Sequence, residues 1–261
     1  MNDSDAVQGF IVLAQQVDGW WRRFEDGVGQ PAKGSPLFGD DEWTTTFPLS
    51  QAAWHAISAA IDNLHAFRTL TVSGGPTDYH VNTRPYGCFP NLRAGMENAA
   101  TAIWMLAPNN RAERVARYLR WCRQETWYRR KALQLQGSTA PDNDAMHEWI
   151  DAVIEARAIS YELLKDRPRF EEMIFLGAEH VGMTGNVGQL VWQTMSGMAH
   201  GERWASLTLN DMEQTGSLPN PEHVTVRVTT PAGRLILFAT VASRYLSGAL
   251  DLLDKRRASP Y

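Results

Sequence analysis

The chain has 261 residues, a formal net charge of −4 and an apolar fraction of 44%. That length fits one large domain, and that charge supplies no global field to draw the molecule onto nucleic acid or a membrane. Cys88 and Cys122 are the only cysteines, too few for a Cys-rich zinc site or a secreted disulfide scaffold.

The start, Met1-Asn2-Asp3-Ser4-Asp5, is acidic, unlike the basic opening of a signal peptide. Leu235 to Ala242, the longest apolar run, falls far short of the roughly 20 residues that span a bilayer. A cytoplasmic protein without membrane contact is therefore expected.

Helical periodicity dominates the chain. Ala6 to Val28 reads as a first helix with Phe10, Leu13, Val17, Trp20, Trp21 and Phe24 on its apolar stripe. Gln30 to Pro48 is a Gly/Pro-punctuated connection. Ser50 caps a second helix reaching Thr71, and Val72 to Pro90 is a long loop. Pro90 opens a third helix that ends at Leu106 before Pro108. Asn109 or Asn110 caps a fourth, to Gln136; Asn143 or Asp144 caps a fifth, ending before Pro168. Phe170 to Val181 is the sixth and Asn186 to Trp204 the seventh. His223 to Thr229 alternates as a strand, for which Ser206 to Leu209 could supply the partner. Leu235 to Lys255 is the last helix. The expected fold is mainly α: a single helical domain over 1–261, a bundle of seven or eight helices with one small β-hairpin near the C-terminal helix. Residues 1–48 are a candidate helical extension.

Two constellations carry chemistry. On one continuous helix, Gln189, Gln193, Ser196, His200 and Trp204 share a stripe, because residues four apart lie almost above one another. On the third helix Arg93 and Glu97 are four apart, beside Trp104, at the margin of the apolar arc. If the two helices meet, an acid, a base and a hydroxyl share one spot. Glu97, His200 and Arg93 are then candidate catalytic residues, and Ser196, Gln193, Trp204 and Trp104 candidate ligand contacts. The plainer expectation is a hydrogen-bond network tying helices together. A serine nucleophile is disfavoured, since no Gly-x-Ser-x-Gly turn occurs. No His-Glu-x-x-His and no Glu-x-x-His occurs either, so neither a metal nor a cofactor is called for.

The fourth helix carries eight cations against Glu113 and Glu125. Arg114, Arg117, Arg120 and Arg123 are its candidate polyanion contacts, with nucleic acid or an acidic protein as partner. Steps of three drift about 60° backwards on a helix of ~3.6 residues per turn. The four arginines therefore wind around the helix, and a solvated face paired with acidic neighbours is the alternative.

Arg93-x-x-x-Glu97-Asn98-Ala99-x-x-x-x-Trp104-x-Leu106-x-Pro108, then Arg111-x-x-Arg114 and Ser196-x-x-x-His200-Gly201-x-x-Trp204, resembles a group of uncharacterised, mostly helical actinobacterial proteins. More distantly the chain is similar to HEPN-type helical bundles, which include RNA-cutting toxins and phage-defence proteins. Active members of that class carry an arginine four to six residues before a histidine on one helix. None of the seven histidines here has one, so no catalytic residue transfers. Two functions are expected: a helical binding or interaction module, or a HEPN-like RNA endonuclease with His200 as acid/base, Glu97 orienting it and Arg93 steadying a phosphate. Exposed apolar helix faces would also suit a homodimer.

Overall fold

The computed structural model describes residues 3–74, 79–138, 145–217 and 224–259. The predicted caps Asn143 and Asp144 and the predicted strand start His223 lie outside the described residues. The chain is mainly α, as its periodicity predicts. The helices are α1 (Asp3–Asp26), α2 (Pro36–Asp41), α3 (Leu49–Thr71), α4 (Phe89–Leu106), α5 (Arg111–Leu135), α6 (Ala145–Ala156), α7 (Phe170–His180), α8 (Gly185–Ala199), α9 (Arg203–Leu209) and α10 (Ala232–Arg257). Two-residue strands β1 (Val72–Ser73) and β2 (His80–Val81) pair in the predicted long loop, and β3 (Asp211–Ser217) pairs with β4 (Val224–Thr229).

α4 is the central helix. Twelve of its 18 residues are buried; Ala99–Leu106 is buried on every side, as a helix wrapped by others must be, while Arg93, Glu97 and Asn98 form a partly exposed polar face on its first half. It packs against α3, α10, α7 and α8. Gly95 brings it close to α3, where an added Cβ would stand 3.1 Å from the Leu64 side chain. α1 lies across α3 and α10, with Phe10 stacked on Phe67 at 6.4 Å and joined to the same core. α10 is long and apolar enough by composition to cross a membrane, but 56% of its apolar window is buried among the other helices.

Four predicted elements are corrected. The seventh helix stops at Ala199 instead of Trp204, and Trp204 belongs to the separate α9. Gly201, at φ +70°, turns the chain into the left-handed region. The Glu202 N–H then reaches the Gly197 carbonyl at 2.8 Å and the Gly201 N–H the Met198 carbonyl at 3.2 Å, a Schellman closure. The strand partner is Asp211–Ser217, because Ser206 to Leu209 is α9; Asp211 lies opposite Thr229, with a bulge between Gln214 and Gly216. The predicted fifth helix ends at Ala156, where Ala158 takes a left-handed conformation; a single 3-10 turn, Tyr161–Leu163, follows. The Gly/Pro connection contains the short helix α2, opened by Ser35, whose hydroxyl accepts the Phe38 N–H, and by Pro36.

The C-terminal end of α4 is closed by buried charge. Arg256 of α10 donates to the carbonyls of Leu106, Ala107 and Pro108 at 2.9–3.0 Å and to Asn109 Oδ1 at 2.9 Å. Arg114 of α5 donates to the Pro108 and Asn109 carbonyls and, through two nitrogens, to Asp40 of α2 at 2.6 and 2.7 Å. The last carbonyls of a helix lack internal partners and carry its negative end, so two guanidiniums there satisfy both demands. Arg256→Leu would orphan several buried acceptors at about 1–3 kcal/mol each. We expect the melting temperature to fall by roughly 5–10 °C, with Arg256→Lys intermediate because one ammonium cannot span four acceptors. A thermal melt that either variant leaves unchanged would show that this cap is dispensable.

Candidate functional site

α4 and α8 pack together, and their contact unites four side chains. Arg93 Nε donates to Glu97 Oε1 at 2.9 Å, the i,i+4 pair expected on one helix face. Trp192 Nε1 donates to the same Glu97 oxygen at 2.7 Å, and the Arg93 guanidinium lies 5.7 Å from the Trp192 ring centroid. Arg93 Nη1 is 3.1 Å from His200 Nε2. A guanidinium only donates, so this contact is a hydrogen bond when Nε2 is unprotonated and the ring proton sits on Nδ1. Arg93 and Glu97 are mostly covered, whereas His200, at the cap of α8, is exposed.

The other members of the predicted stripe stay out of this cluster. Trp204 is exposed and its indole N–H bonds Glu202. Gln193 is exposed and Ser196 half-buried; among the described residues neither side chain bonds to Arg93, Glu97 or His200. Gln189 donates instead to the Glu171 carbonyl at 3.3 Å. Trp104 is 1% exposed, with the guanidiniums of Arg117 and Arg120 over its ring at 5.5 and 5.3 Å. It is core and closed to a ligand.

The α5 arginines separate as their 60° drift requires. Arg114 is 2% exposed and bound to Asp40, which removes it from any polyanion face. Arg117, half-buried, bonds Glu113 and the Trp104 carbonyl, both at 2.7 Å. Arg120 donates to the Asp166 carbonyl at 2.6 Å, and Arg123 lies 3.3 Å from Asp151. Those last two line a pocket of about 290 Å³ with Trp127 of α5, His147 of α6, and Lys165 and Arg167 of the segment before α7. Asp166 is the one carboxylate in its lining. His147 Nδ1 is sealed from solvent and has no hydrogen-bond partner among the described residues. The charge pattern of α5 points to Arg120 and Arg123 but not to His147, Lys165 and Arg167. Their nearness to α5 comes from the chain returning after α6, which no local spacing encodes.

Cysteine chemistry is disfavoured. Both thiols are buried, and burial pushes Cys122 up to about 12, so it stays protonated and packs. Among the described residues no three His, Cys, Asp or Glu side chains gather as metal ligands would. Compared with known protein families, characterised proteins and solved structures, the chain gives no significant match.

Proposed function

We propose that the protein is a cytoplasmic helical binding module that takes a phosphate-bearing anion in the basic pocket beside α5. One observation carries this reading: four cations, Arg120, Arg123, Lys165 and Arg167, converge on a concave site with a single carboxylate. The volume, about 290 Å³, is at the low end for small-ligand pockets, and suits a phosphate ester or one stretch of nucleic-acid backbone better than a folded acidic partner. Arg120 is held by the Asp166 carbonyl at 2.6 Å and Arg167 lies over the Trp127 ring at 5.0 Å, but the other two cations are held only by exposed partners. Arg123 pairs with the exposed Asp151, and Lys165 with the exposed Glu162. Exposed ion pairs are worth about 0–1 kcal/mol, whereas hydrogen bonds to charged groups reach about 1.5–3 kcal/mol, so a phosphate outcompetes them.

In this reading the Arg93–Glu97–Trp192–His200 cluster ties α8 to the central helix. Inorganic pyrophosphate titrated by calorimetry at low salt should bind one to one with Kd about 10–100 µM, weakening as salt screens the pocket. Arg123→Gln and Lys165→Gln should each weaken binding about fivefold. Arg130→Gln, away from the lining residues, should not. Absence of binding, or equal affinity in all variants, contradicts the proposal.

The contact of Arg93 with His200 at 3.1 Å favours a second reading, an RNA endonuclease of a defence or toxin system. There the exposed imidazole moves the proton and Arg93 meets the phosphate. Total RNA incubated with the protein stays intact under the first reading. Under the second it is cut, and His200→Ala abolishes cutting while the thermal melt is unchanged.

A further inference from the structure

A second pocket, of about 400 Å³, opens between α3, α4, α5 and α6. Its character is opposite to that of the basic pocket. Phe47, Tyr118 and Trp121 give it aromatic walls, buried Cys122 and Ala56 part of its apolar lining, and neither lysine nor arginine lines it. Glu125 is its one carboxylate and His55 its one histidine, and both side chains belong to exposed residues.

The walls are held by neighbours. Tyr118 donates its hydroxyl proton to the Phe47 carbonyl at 2.9 Å. Phe47 and Tyr118 both meet the Trp149 ring edge-on, at 5.1 and 6.1 Å, and Trp121 meets Phe170 the same way at 6.3 Å. Rings fixed in this manner are preorganised, so binding does not have to order them. Asn98 presents an amide whose N–H already goes to the Ala94 carbonyl at 2.9 Å, leaving its oxygen as an acceptor.

Aromatic faces, an acceptor oxygen and a carboxylate suit a cation with an apolar body. Trp121 and Glu125 both line the pocket, and among the described residues no lysine or arginine forms an ion pair with that carboxylate. Although solvent reaches Glu125, partial desolvation against the pocket wall raises its carboxyl above the ordinary value, with Trp121 and His55 opposing, and a bound cation would offset that penalty. An anionic ligand is disfavoured by the same carboxylate, and a wholly apolar one would leave it uncompensated.

We propose that this pocket is a binding site for a small organic ammonium ion, its body against Phe47, Tyr118 and Trp121 and its charge at Glu125. The site is independent of the phosphate pocket, since the two share no lining residue.

Benzyltrimethylammonium is the probe, titrated into the full chain by calorimetry. Saturable one-to-one binding with Kd below about 1 mM is expected, and its uncharged isostere neopentylbenzene should bind at least tenfold more weakly. Glu125→Gln should weaken binding of the ammonium about tenfold and leave the neutral probe unchanged. Ala52→Phe, which adds a ring to the lining, should weaken both probes. Arg123→Gln, in the other pocket, should change neither, so failure of the phosphate reading leaves this test standing. No saturable heat up to about 10 mM probe, or equal affinity for the charged and neutral probes, overturns the proposal. The comparison of the two probes on the unmodified protein decides the matter even where a variant fails to fold.

Discussion

The bidentate pair between Asp40 and Arg114 is the constraint on which the rest of the structure turns. Asp40 is completely buried and Arg114 nearly so, and their oxygens and nitrogens meet at 2.6 and 2.7 Å. Two charges taken from water are costly unless each lone pair and proton finds a partner. Here they do: Arg114 also bonds two carbonyls past the end of α4, and Arg111 approaches Asp40 at 3.5 Å. Gly39 makes room for this, since an added Cβ would lie 1.9 Å from an Arg111 nitrogen. Arg256 takes the Leu106 and Ala107 carbonyls and shares that of Pro108. Three helices far apart in sequence, α2, α5 and α10, are thereby pinned to the C-terminal end of the central helix.

Pinning Arg114 sets the rotation of α5. With that residue turned fully inward, a step of three places Arg117 about 60° round, Arg120 about 120° and Arg123 about 180°. The side-chain exposures follow that rotation, rising from 2% at Arg114 through 18% at Arg117 to 39% at Arg123. The winding that argues against one basic stripe therefore sorts the arginines by role. Arg114 holds the frame, Arg117 and Arg120 cover Trp104, and Arg120 and Arg123 reach the pocket completed by Lys165 and Arg167. The opposite flank of α5, with Tyr118, Trp121, Cys122 and Glu125, faces the aromatic pocket. One helix thus divides two sites of opposite charge preference.

The helical frame is legible in the sequence because its signals are local. Pro90 in the first turn of α4, Asn110 at the cap of α5 and the apolar spacing of α3 place those elements to within a residue or two. The i,i+4 spacing of Arg93 and Glu97 likewise describes a contact made within one helix. What sequence hides is contact across distance and small breaks. Asp40 sits in a Gly/Pro-rich connection where nothing marks it as a buried counter-ion. Gly201 ends α8 one residue after the cap, and that break separates Trp204 from the stripe to which uninterrupted periodicity assigns it. Arg114 reads as one more cation of a basic helix, since a sequence records charge without recording which way the helix is turned.

A double-mutant cycle on Asp40 and Arg114, read by denaturant unfolding, tests this account most directly. Asp40→Leu and Arg114→Met should each cost about 3–5 kcal/mol, because each strands a buried charge. The double variant should cost markedly less than their sum, with a coupling of at least about 2 kcal/mol. Losses that simply add, or single variants within about 0.5 kcal/mol of the parent, would mean that the pair neither anchors the end of α4 nor sets the face that α5 presents.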